Sequence, residues 1–146
     1  MHAPVTRDIG HAAPPPPLAA RLRRDALCLA ALVVMRAGLS LAGYAAIAAR
    51  IPRPEGVPGS RFYARQLARR IERLARLVPG ASCLTQALAL QYLLARSGHA
   101  CTIKVGVRCD DAGRFAAHAW VTCEDQIVLG AANTRLTDFT TLTERR

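Results

Sequence analysis

The sequence predicts an α+β domain, with apolar helices first and then a helix leading into a short antiparallel sheet. Three observations carry this reading. Apolar residues recur at helical spacing up to Gly98 and alternate in twos after it. Proline and glycine cluster in "RIPRPEGVPGS" (50–60) and break the helical part in two. The alternating runs are separated by "DDAG" (110–113) and "ED" (124–125), both of turn composition. An apolar fraction of 51% argues against wholesale disorder in the 146 residues.

Taken in order, residues 1–20 end in "AAPPPPLAA" and read as a disordered, polyproline-like arm. Residues 21–60 form an apolar helical segment, helical from about Leu22 to Ala49, followed by the Pro/Gly linker. Its uncharged runs, 26–35 and 37–49, are split by Arg36, and neither reaches the roughly 18 residues of a membrane span. A helix or helix pair packed on the domain is expected. Because basic residues precede the apolar run, weak membrane association is the alternative. The third unit, 61–146, opens with a helix from Arg61 to Val78, whose Tyr63, Leu67, Ile71, Leu74 and Val78 are expected to be buried. Arg65, Arg69, Arg73 and Arg76 line its opposite side, as a solvated face or a docking strip for an acidic partner.

The next helix runs from Cys83 to Arg96, with Ser82 at the N-cap and Gly98 at the C′ position. Strands are predicted in "CTIKVGVRC" (101–109), "RFAAHAWVTC" (114–123) and "QIVLG" (126–130), and the tail from Ala131 reads as irregular and polar.

Charge and cysteine usage narrow the function. Residues 1–79 hold 13 arginines against 4 acidic residues, net +9, whereas residues 80–146 are close to neutral. The N-terminal half thus suits an acidic partner. Aromatics make up only 5% and no recognition motif appears, which argues against nucleic acid. Five cysteines without a CxxC pair do not form a disulfide framework and point to a reducing, cytoplasmic setting. Cys101, Cys109 and Cys123 lack the spacing of a zinc site, and neither metal nor cofactor is expected.

Cys83 is in an odd place for a packing thiol. In the first turn of a helix, the macrodipole and the orphan N–H groups favour a thiolate. Such a nucleophile needs a proton shuttle, and His118 in "AAHAW" is the candidate, flanked by small residues that let another element approach its ring. Strand alternation puts Trp120 on the face of His118, where an indole can shield the imidazole. The bland alternative has Cys83 as a small buried hydrophobe and His118 as a satisfied core histidine.

The words "CLTQALALQYLLARSGHACTIKVGVR" and "GRFAAHAWV", with the closing "RLTDFTTL", resemble the leader peptidases of lasso-peptide biosynthesis, the maturation B proteins of the transglutaminase-like superfamily. The resemblance covers about Arg61 to Leu142. It implies a transglutaminase/papain-like core in which the Cys-bearing helix packs on a short antiparallel sheet. It further implies Cys83 as nucleophile and His118 as base, acting on a precursor peptide that is cut between leader and core. A separate ATP-dependent lasso cyclase would then close the macrolactam ring. The family's third member is typically an Asp about a dozen residues past the histidine; here that position is Gly130. Asn133 is the nearest side chain able to orient the imidazole, and Asp138 is the charged alternative.

Complete family members carry a winged-helix leader-recognition domain. Residues 1–60 offer no alternating run for its strands, so a separate leader-recognition protein is expected. It would dock on Arg65, Arg69, Arg73 and Arg76 or on Arg21, Arg23 and Arg24. The competing reading is a catalytically weak scaffold, or a basic binding protein that holds a precursor, an acidic partner or a membrane surface.

Overall fold

The computed structural model describes residues 16–54, 60–109, 111–131 and 136–145. Expectations that fall on residues 1–15 or on Asn133 lie outside these residues. Helix α1 (Leu18–Leu41) starts earlier than Leu22, because the carbonyl of Pro17 accepts from the amides of Ala20 and Arg21 and begins the first turn. Its Cys28, Ala31, Leu32 and Met35 recur three and four residues apart and form the buried stripe. Gly43, at φ +77°, turns the chain into α2 (Gly43–Arg50), so the apolar segment is a helix pair. No described helix is long and apolar enough to cross a membrane.

Ser60 caps helix α3 (Arg61–Ala75) by accepting from the Tyr63 amide at 3.4 Å. Of the five residues expected on the buried face, Ile71, Leu74 and Val78 are buried, Leu67 is half-buried and Tyr63 turns outward. Ala64, Ala68, Ile71, Leu74 and Ala75 are buried, while Tyr63 is 38% exposed. The small Ala64 and Ala68 let α3 approach its neighbours closely, and this turns the Tyr63 ring outward against His99, centroids 5.0 Å apart. Arg65, Arg69, Arg73 and Arg76 are exposed, as expected. Arg65 donates to Gln126 at 3.0 Å, and Arg70 and Arg73 both pair with Asp25 of α1.

Helix α4 (Cys83–Arg96) is the centre of the molecule. Ala87, Leu88, Ala89, Leu90 and Leu94 are fully buried on more than one side, as a helix flanked by other helices and a sheet requires. It ends in a Schellman motif: His99 N–H donates to the Leu94 carbonyl and Gly98 N–H to that of Ala95, with Gly98 at φ +76°.

The sheet has the order β3-β2-β1-β4, from β1 (Thr102–Cys109), β2 (Phe115–Cys123), β3 (Gln126–Leu129) and β4 (Thr140–Arg145). All pairings are antiparallel. Glu124 and Asp125, both at positive φ, form the two-residue β2–β3 turn. Ile103, Ala119, Val121, Cys123 and Leu129 join the helical core. The tail corrects the sequence reading, because β4 pairs with β1 where an irregular segment was expected. Threonine favours strands, but Thr140, Thr141 and Leu142 of this edge strand are exposed and leave no buried alternation to detect.

Candidate active site

Cys83 is the first residue of α4 and is half-buried against the core. Ser82 makes this a well-formed helix start: its Oγ accepts from the Thr85 amide at 3.3 Å, and its carbonyl accepts from Gln86 N–H at 3.0 Å. Gln86 Nε2 donates to the Ala81 carbonyl at 3.3 Å, which fixes the approach to the helix. The amides of a first turn have no intrahelical carbonyl acceptor; that of Thr85 is met by Ser82 Oγ, which leaves those of Cys83 and Leu84 at the helix start. They are the groups able to receive developing negative charge beside the thiol.

The other cysteines differ. Burial pushes the Cys101 thiol up to about 12, with nearby Cys123 adding to the effect. Burial also raises Cys28, partly opposed by Arg70, and raises Cys123. These three thiols are held protonated at neutral pH and are poor nucleophiles. Cys109 is exposed, as the last residue of β1.

His118 lies mid-strand in β2, half-buried, opposite Gly106 of β1. Its Nε2 is 2.8 Å from the carbonyl oxygen of Gly130. A carbonyl only accepts, so Nε2 carries the proton, and in the neutral ring Nδ1 keeps its lone pair. Trp120 stacks on the imidazole with centroids 6.3 Å apart and planes at 20°, as strand alternation predicts. Phe139 closes the other approach at 5.8 Å, and the Arg108 guanidinium lies 5.4 Å from the Phe139 ring centre. Imidazole, indole and phenyl rings thus share one cluster.

Two glycines make room for this cluster. A Cβ on Gly106 would sit 3.0 Å from Phe139 Cβ and from two Trp120 ring atoms. Gly130 has φ +90°, and a Cβ there would meet Trp120 Cβ at 2.8 Å and the Ala119 carbonyl oxygen at 2.9 Å. The β2–β3 register shifts by one residue between Val121 and Thr122. Past that bulge, the chain at Gly130 presents a backbone carbonyl to the imidazole at the position where an aspartate was sought. A side chain is excluded there by sterics. We expect Gly130→Asp to lower stability by about 2–4 kcal/mol, from positive-φ strain plus overpacking, read as a lower urea midpoint. An unchanged midpoint would show that the described packing around Trp120 is wrong.

Among the sequence-derived residues, the structure brings His118 together with Trp120 and with the backbone of Gly130. Helix α4 packs on β2 and β1, and no hydrogen bond joins Cys83 to His118. Asp138 is exposed in a 3-10 turn (Leu136–Asp138), where its carboxylate accepts from the Thr137 hydroxyl at 3.3 Å. Phe139, Arg108 and the Gly130 carbonyl were missed from the sequence. Gly106, a glycine in the middle of an alternating strand, was the available signal of close approach to that cluster.

A cysteine thus stands at the start of a helix packed on an antiparallel sheet, and a ring-shielded histidine stands on strand β2 of that sheet. The family comparison is specific: the profile of the transglutaminase-like superfamily matches residues 19–144, and the chain belongs to that superfamily. Its chemistry is typically cysteine-based and it commonly includes cysteine peptidases. The match takes in α1 and α2 as well as the Cys-bearing helix and the sheet. No curated protein and no solved structure matches the chain.

Proposed function

We propose that the chain is a cysteine peptidase that removes the leader from a lasso-type precursor peptide, with Cys83 as nucleophile and His118 as base. The observation that carries the reading is the 2.8 Å bond from His118 Nε2 to the Gly130 carbonyl. It fixes the tautomer in which Nδ1 can take the thiol proton, the role that a third side chain plays in other cysteine proteases. Cys83 Sγ attacks the scissile carbonyl, and its proton passes to His118. The resulting oxyanion is met by first-turn amides of α4. His118 returns the proton to the leaving amine, which departs as the free core peptide. Water, activated by the same imidazole, then releases the leader carboxylate and restores the thiol. The freed core amine suits a downstream ATP-dependent cyclase, and a separate leader-recognition protein would deliver the precursor to the arginine-rich helices.

Product mass tests this reading. Incubation with a lasso-type precursor should yield a leader ending in a carboxylate and a core with a free amine. A leader joined to an added amine, with no hydrolysed product, would make the chain a transglutaminase instead. In the same assay, Asn133→Ala and Asp138→Ala should each keep activity within about tenfold, roughly 1.4 kcal/mol. A larger loss in either would transfer the orienting role from the Gly130 carbonyl to that side chain.

A further inference from the structure

A second site lies among the four helices, where a cavity of about 810 Å³ opens over α1. That size falls within the range of binding pockets. It follows α1 from Arg23 to Met35, about 18 Å of helix at 1.5 Å per residue. Its floor is apolar, and Leu27 and Val34 remain 52% and 61% exposed within it. The rim carries five arginines drawn from all four helices: Arg23 and Arg24 on α1, Arg50 on α2, Arg70 on α3 and Arg96 on α4. No Asp or Glu is among the described residues that line it. Arg70 pairs with Asp25 just outside, but among the described residues Arg23 and Arg24 have no carboxylate partner.

We infer that this groove binds an acidic amphipathic peptide segment, with apolar side chains against Leu27 and Val34 and carboxylates on the arginine rim. A fatty acid brings one charge at one end, whereas these cations are contributed by four separate helices and match carboxylates spaced along a chain. Arginine's planar fork takes a carboxylate in two parallel hydrogen bonds. Individual exposed pairs are weak, so the apolar floor and several arginines act together. The inference does not depend on peptidase chemistry, since none of the cavity residues belongs to the Cys83 or His118 surroundings.

Fluorescence anisotropy with the full chain tests it, using labelled peptides of about 14 residues, roughly 21 Å as helix. One alternates Glu and Leu at helical spacing, a second replaces Leu with Ser, and a third replaces Glu with Lys. The Glu/Leu peptide should bind at least about tenfold more tightly than either control, and more weakly as salt is raised. Val34→Asp, and separately Arg23→Glu with Arg24→Glu, should each weaken it by about tenfold or more. All three positions are exposed, so circular dichroism should report an unchanged fold. Cys83→Ala should bind like wild type, which separates this result from the peptidase reading. Equal binding of the Glu/Ser peptide, equal binding of the Lys/Leu peptide, or indifference to both sets of substitutions would each overturn the inference. Binding of oleate with no binding of the Glu/Leu peptide would overturn it in favour of a fatty-acid site.

Discussion

Precursor cleavage should vanish in Cys83→Ala, by at least about a thousandfold in kcat/KM, or about 4 kcal/mol of lost transition-state stabilisation. Alanine keeps the Cβ, favours helix more than cysteine does, and leaves the Ser82 cap untouched. The half-buried position gives up only a thiol, so the cost in stability should stay below about 1 kcal/mol. Cys101→Ala, Cys109→Ala and Cys123→Ala should retain cleavage per folded molecule. Burial holds Cys101 and Cys123 protonated, and Cys109 is the last residue of a strand. Leader release measured by mass spectrometry, alongside urea unfolding of each variant, checks both halves of this statement. Wild-type cleavage by Cys83→Ala would remove the nucleophile assignment.

His118→Ala should lose as much activity as Cys83→Ala, because the two act as a unit and their effects are strongly non-additive. The double variant should be no slower than either single one. Structurally the change is tolerable: it frees the Gly130 carbonyl and opens space beside Trp120 and Phe139, at a cost of roughly 1–3 kcal/mol. Activity should be compared at temperatures well below the unfolding midpoint of each variant. A further large drop in the double variant would mean that the residues act independently and would dissolve the pair.

What the sequence made legible follows from which interactions leave a local imprint. The Cys83 helix could be read from Ser82 to Gly98 because its cap and its Schellman motif are made by nearby residues. The three strands of the meander were visible because Ile103 of β1, Ala119 and Val121 of β2 and Leu129 of β3 enter the core, and "ED" supplied a turn of the right hand. Strand β4 was not legible, since Thr140, Thr141 and Leu142 of this edge strand are exposed and show no alternation. The buried face of α3 was read correctly at Ile71 and Leu74 but not at its start, where size suggested Tyr63 and close helix packing selected Ala64 and Ala68. Most instructive is Gly130. The sequence shows only that an expected side chain is missing, and a backbone carbonyl leaves no residue type to search for. Only the register shift at Val121 and the room required by Trp120 explain why glycine stands there.

The most direct test of the central claim needs no substrate. Wild type and His118→Ala would be treated with limiting iodoacetamide across pH 5–9, and the alkylation of each cysteine followed by peptide mapping. Cys83 should react fastest in wild type near neutral pH, and Cys28, Cys101 and Cys123 should be protected by burial. In His118→Ala, the Cys83 rate near neutral pH should fall by about tenfold or more while that of Cys109 stays constant. Alkylation of Cys83 no faster than that of Cys109, and unchanged when His118 is removed, would contradict a nucleophile activated by that histidine.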